Sequence, residues 1–192
     1  MLSKDYRYFI LEFPLKGENM KTIFHAFAKY NQSVNLSILE LTEPLSEEQI
    51  MMKTKAFFPS IFETMFHNLL SDLFWLTRFK GVFPESKALA GSEVISLDLR
   101  GLKKEYEPEY KKLFQHRRQA DETISQLIGE IDENQLNSAV KYKNFKGDEV
   151  EGLLWKILLQ WFNHQTHHRG QISVLLDMID VKNDYSSMMN RI

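Results

Sequence analysis

The sequence predicts an all-α protein: a four-helix bundle with a long crossover loop between its second and third helices. Three observations lead there. Apolar residues recur with the helical period in four long segments. The stretch between the second and third carries Gly81, Pro84, Gly91 and Gly101, as in bundles with a long crossover connection. The first and last segments carry polar residues on faces otherwise apolar, the arrangement in which bundle cores hold metal. At 192 residues, 43% of them hydrophobic, the chain is long enough for one well-buried domain. A single domain over 1–192 is expected, with residues 1–17 an irregular N-terminal extension broken by Pro14 and Gly17.

From about Glu18 to Leu41, Phe24, Phe27, Val34, Ile38 and Leu41 share one helical face. Asn31 lies in that stripe with Asn35 beside it. A buried amide needs partners, so Asn31 either serves a structural hydrogen bond or lines a polar site. His25 points off the stripe, toward solvent. Pro44 ends this helix, and Ser46 to Gln49 reads as a capping box opening a short helix. Lys53 to Phe58 is a connector. Pro59 or Ser60 starts a second long helix that runs to about Lys80, before Gly81. Ile61, Phe62, Met65, Phe66, Leu69, Leu70, Leu73, Phe74 and Leu76 make it apolar over much of its circumference. Such a helix is central in a bundle or shared with a second copy, which motivates the expectation of a homodimer. Residues 81–105 form the crossover. A third helix starts near Pro108, with Leu113, Arg117, Ala120, Ile124, Leu127 and Ile131 on one face. Asn137 to Gly147 is a turn-rich connector whose alternation from Val140 to Phe145 suggests a short extended piece. The fourth helix runs from about Asp148 to Ile179, followed by a polar tail.

The chemistry-bearing residues concentrate in the fourth helix. Asn163 to Gln171 holds three of the chain's six histidines. Residues four apart on a helix lie about 40° apart around the axis and one turn along it, so His164 and His168 can converge on one divalent ion. Both fall within the apolar stripe Leu154, Ile157, Leu158, Trp161, Ile172, Leu175, Leu176 and Ile179, with His167 at its edge. Neutral imidazole ligates zinc, nickel, copper or iron. A pair of core histidines bonded to neighbouring side chains satisfies the spacing equally well, and one helix supplies only two ligands. His67, on the border of the second helix's apolar surface, reads by itself as structural. His116 reads as surface.

Other chemistries are excluded. A net charge of −2 gives no electrostatic case for nucleic acid or an anionic membrane. The doublets Lys103-Lys104, Lys111-Lys112 and Arg117-Arg118 are interleaved with glutamates and read as a solvated helix face. No apolar run approaches the ~20 residues that span a bilayer. With no cysteine, disulfides, thiolate ligands and a cysteine nucleophile are absent together, and a cytoplasmic location is the default. The Glu-x-x-His pairs of di-iron bundles, His-Glu-x-x-His, a phosphate-binding glycine loop and a Gly-x-Ser-x-Gly elbow do not occur.

The segment Asn163 to Gln171 (NHQTHHRGQ) resembles the signature of the DinB family of damage-inducible bacterial proteins, related to YfiT-like metal-dependent hydrolases. A second block agrees with it: Tyr30-Asn31 with Asn35, Leu45-Ser46, Ala56-Phe57-Phe58, His67-Asn68-Leu69-Leu70, Asp72 and Trp75-Leu76 follow the family's N-terminal order. The resemblance covers about residues 18–184, and it departs at Val34, where the family usually has tryptophan. It implies a four-helix bundle, commonly dimeric, with three histidines on one divalent ion. The ligands it implies here are His67, His164 and His168; His167 is not among them. The ion it implies is one per chain, zinc or nickel first, with iron or manganese as alternatives. Characterised relatives include enzymes that use low-molecular-weight thiols as S-transferases, and others described as hydrolases. The expectation is therefore a metal-dependent enzyme acting on a small-molecule substrate in stress chemistry; the alternative is a non-catalytic, metal-stabilised dimeric scaffold. Asn31, Arg169 and Gln171 are candidates to touch substrate, and no general base is identified.

Overall fold

The computed structural model describes residues 20–144 and 146–192. The expected N-terminal extension, the first residues of the first expected helix and Phe145 lie outside the described residues. The described chain is mostly helical with one small sheet. Four helices are long: α1 (Met20–Thr42), α3 (Ile61–Val82), α6 (Lys111–Glu130) and α8 (Leu154–Asp177). Four are short: α2 (Glu47–Met51), α4 (Lys87–Ala90), α5 (Leu102–Tyr106) and α7 (Glu133–Leu136). Strands β1 (Ala139–Lys143) and β2 (Glu149–Leu153) pair antiparallel.

Helix starts follow side-chain chemistry. Ser46 and Gln49 form the reciprocal capping box at α2. At α3 the Ser60 hydroxyl accepts from the Glu63 amide at 3.1 Å, satisfying one of the donors a helix N-terminus leaves free. α1 packs along α6 and α8, and α3 packs along α8 and α6. Between them Val34, Leu39, Leu73, Leu76, Leu127, Leu158, Trp161 and Leu176 are buried. Burying each such aliphatic side chain contributes about 1.5–3 kcal/mol, which is what holds four amphipathic surfaces against one another.

Three expectations need correction. The crossover is not a bare loop: α4, a 3-10 turn (Glu93–Ser96) and α5 bury Ala88, Leu89, Val94, Leu102 and Tyr106 against the long helices. Each piece is a turn or so long, too short for a hydrophobic period to register. The Glu130 carboxylate anchors the first of them, accepting from Ser86 Oγ at 2.5 Å and from the Ala88 amide at 2.9 Å. The third long helix begins at Lys111, three residues after Pro108. The fourth begins at Leu154, not Asp148, because residues 149–153 alternate in exposure and pair as β2 with β1, Val150 opposite Tyr142. Gly147, at φ +89°, makes the turn between the strands. Asn144 Oδ1 accepts from the amides of Lys146 and Asp148 to close it.

The polar tail is tied down. Tyr30 donates its hydroxyl to the Tyr185 carbonyl at 2.5 Å, and Arg191 donates to the hydroxyls of Ser33 and Ser37, so the last residues lie along α1. Among the described residues no helix is long and apolar enough to cross a membrane.

Candidate metal centre

α3 and α8 run antiparallel where they pack, so His67 meets His164 and His168 while Asp72, further along α3, meets Trp161, which precedes both histidines, and Gln165, which lies between them. The spacing of four turns both α8 imidazoles toward α3. His67 Nε2 stands 3.3 Å from His164 Nε2, which stands 3.0 Å from His168 Nε2. The three rings offer ligand atoms all within 4.8 Å of one another, and they are the group of three or more potential ligands found among the described residues. His168 is buried; His67 and His164 are half-buried. Phe58, at the end of the connector between α2 and α3, stacks on His67 with centroids 4.1 Å apart and meets His168 edge-on at 5.5 Å.

The donor set suits a divalent transition ion. Ligation requires the deprotonated ring, and the surroundings supply it. Burial, with the charges of His168 and His164 adding to it, pushes His67 down to about 4. Burial lowers His164, His167 adding to the effect, and lowers His168 against the opposing Gln171 hydrogen bond. Three neutral nitrogens favour zinc, nickel, copper or iron over the oxygen-seeking calcium and magnesium. The His164 Nδ1 is buried without a hydrogen-bond partner. His167, exposed on the adjoining face of α8, stays out of the cluster and accepts from Gln171 Nε2 at 3.1 Å.

Beside the cluster lies a buried polar network that joins α1, α3, α6 and α8. Asp72, on α3, accepts from Arg117 Nη1 at 2.5 Å, from Trp161 Nε1 at 2.6 Å and from Gln165 Nε2. Arg117 also donates to both oxygens of Asp121, at 3.1 and 2.7 Å. Asp121 accepts in addition from Asn35 at 2.8 Å and Asn31 at 3.4 Å. Arg169 donates to the Asn31 amide oxygen and to Thr166 Oγ1, and its guanidinium lies 5.3 Å over the Tyr30 ring. Burial pushes Asp121 up to about 6, against the pull of Arg117, and takes Arg169 down to about 10. Burial also raises Asp72, while Arg117 and the Trp161 indole oppose it. For Arg117, burial is outweighed by Asp121 and Asp72, and the guanidinium is raised.

The network decides several readings. Asn31 is a structural hydrogen-bonding group, and Arg169, only 2% exposed, turns inward to it. His116 is half-buried and bonded to the buried Tyr106 hydroxyl, so it is less of a surface residue than expected. Periodicity and spacing assign no role to Asp72, Asp121 or Gln165. The signal lies in Arg117, a cation at an apolar-stripe position of α6, with Asp121 one turn on. Next to the cluster an apolar groove of about 530 Å³ is lined by Phe57, Phe58, Val174, Leu175 and Met178, with His167 and Gln171 at its polar side.

The sequence model described as "DinB family" matches residues 19–180. The chain is 30% identical over 148 residues to the curated "Protein DinB" of Bacillus subtilis (strain 168), covering 77% of this chain and 81% of that protein. No solved structure matches the chain.

Proposed function

The chain belongs to the DinB family, and from that membership and its three-histidine cluster we propose that it is a metal-dependent enzyme acting on small molecules. In this reading the four long helices form a four-helix bundle within a single domain, and His67, His164 and His168 hold one divalent ion, zinc or nickel first. The observation that carries it is the set of three neutral nitrogens from two helices, with no fourth protein ligand beside them among the described residues. Structural zinc sites are closed by four protein ligands, whereas catalytic ones keep a position open. When bound, the ion supplies Lewis acidity able to acidify a thiol or a water.

The chain's own residues do the rest. His67 and His164 are only partly buried, unlike His168. Phe58 covers one side of the cluster and separates it from the apolar groove, which has the size of a small-molecule site. A substrate with an apolar body in that groove and a sulfur or carbonyl group beyond Phe58 fits thiol S-transfer and hydrolysis alike. Without a cysteine in the chain, a reacting thiol arrives as a low-molecular-weight substrate. We also propose a homodimer, on the family resemblance.

Metal analysis of tag-free protein tests the reading. About one divalent ion per chain is expected, lost in H67A, H164A and H168A. Full metal retention in all three variants refutes the assignment. A panel of small thiols with an electrophilic acceptor, and of esters, should then show turnover above the metal-free protein. Metal without turnover across both panels would favour the non-catalytic scaffold instead.

A further inference from the structure

We propose that Gln171 is a positioning residue that presets His168 as a ligand; the inference rests on the metal reading above. Its side-chain oxygen lies 2.7 Å from His168 Nδ1. An amide oxygen only accepts, so Nδ1 must carry the ring's proton. The neutral imidazole then has a bare lone pair on Nε2, the atom that faces His164 at 3.0 Å. The other end of the same amide lies 3.1 Å from His167 Nε2, and an amide nitrogen only donates, so in this orientation His167 accepts. Reversing the amide would aim its N–H groups at His168 Nδ1. That would force the ring proton onto Nε2 and block ligation. His167 does not join the cluster, yet it bonds the group that orients a ligand.

The three histidines are therefore unequal. His164 Nδ1 is buried with no hydrogen-bond partner, so no outer group supports that ring as Gln171 supports His168. His168 has its ring set by a hydrogen bond from one turn further along α8, and it is packed edge-on by Phe58 and His167. Outer partners of this type typically change metal affinity 10–100-fold when removed. Because Gln171 also lines the apolar groove, this support stands where the groove meets the cluster.

The test uses metal-free full-length protein and two variants, Q171M, which keeps the side chain's length and removes the hydrogen bond, and Q171E, which keeps the acceptor. Long-range proton–nitrogen NMR reads the His168 tautomer directly. Wild type and Q171E are expected with the proton on Nδ1, and Q171M without that preference. Competition with a chromophoric chelator is expected to show zinc affinity reduced about 10–100-fold in Q171M and retained in Q171E, at an unchanged unfolding midpoint. A His168 ring protonated on Nε2 in the wild type, or Q171M binding zinc as the wild type does, overturns the proposal. Failure of the metal reading looks different: the wild type binds no zinc at all, while the NMR spectrum still reports whether Gln171 sets the ring.

Discussion

Asp72 offers the sharpest test of the buried network. It is fully buried and accepts hydrogen bonds from Arg117, Trp161 and Gln165. The substitution D72N keeps the shape but leaves one acceptor oxygen and sets an amide N–H group against a donor. The charges in the network, Asp72 and Asp121 against Arg117 and Arg169, balance in the wild type and carry one excess positive charge in D72N. Removing one partner of a buried ion pair costs about 3–5 kcal/mol, against roughly 5–15 kcal/mol of total stability for a domain. At about 2–4 °C per kcal/mol for a chain of this size, the midpoint of thermal unfolding should fall by roughly 6–20 °C. Urea unfolding of the metal-free protein, with the denaturant slope unchanged, is the assay. The control is E43Q, which breaks the exposed Arg118–Glu43 pair and should cost less than about 1 kcal/mol. If D72N unfolds within about 1 kcal/mol of the wild type, the network does not carry the charge balance assigned to it.

Two further expectations concern the histidines and a helix start. Burial, with His168 and His164 adding to it, holds His67 down at about 4 in the fold, against 6.5 for an ordinary imidazole. Between those values the unfolded chain holds a proton that the fold does not, so His67 makes the metal-free protein less stable as pH falls from 6.5 toward 4. Asp121, raised to about 6, acts with the opposite sign over much of that window. The measurement is therefore the stability difference between wild type and H67Q, which should move against the wild type on acidification; a difference flat with pH refutes the burial of that ring. S60A removes the cap of α3 and should cost about 1 kcal/mol in the same urea assay, with no cost counting against the cap's role.

What the sequence disclosed follows the range of the interactions involved. The extent of α3 was readable because its cap, Ser60, and its apolar surface are local signals. The converging pair on α8 was readable because four residues make a turn. The start of α8 was misplaced because residues 149–153 owe their extended form to hydrogen bonds with β1, a partner that no period within the segment announces. His67 was illegible from its own neighbourhood. A histidine bordering an apolar face gains a metal-binding sense only when another helix brings two more imidazoles to it, and 97 residues separate it from His164. The DinB resemblance supplied that long-range fact; periodicity could not.

The network also bears on why the rings meet at all. Gln165 and Arg169 each follow one of the α8 histidines, so they face about 100° around the axis from them. Gln165, together with Trp161, is bonded to Asp72 on α3, and Arg169 is bonded to Asn31 on α1. Apolar contacts tolerate a helix that turns or slides, since one methyl replaces another at little cost. Hydrogen bonds fall off steeply with angle and do not. A shift of α8 by one residue would strip the buried Asp72 carboxylate of its Trp161 and Gln165 donors, take Asn31 from the buried Arg169 guanidinium, and carry His164 and His168 away from His67. Well-packed apolar residues can match buried ion pairs in stability, so stability alone does not explain four charges inside this core. Their geometric effect is to leave α8 one rotational setting, the one in which all three imidazoles share a centre.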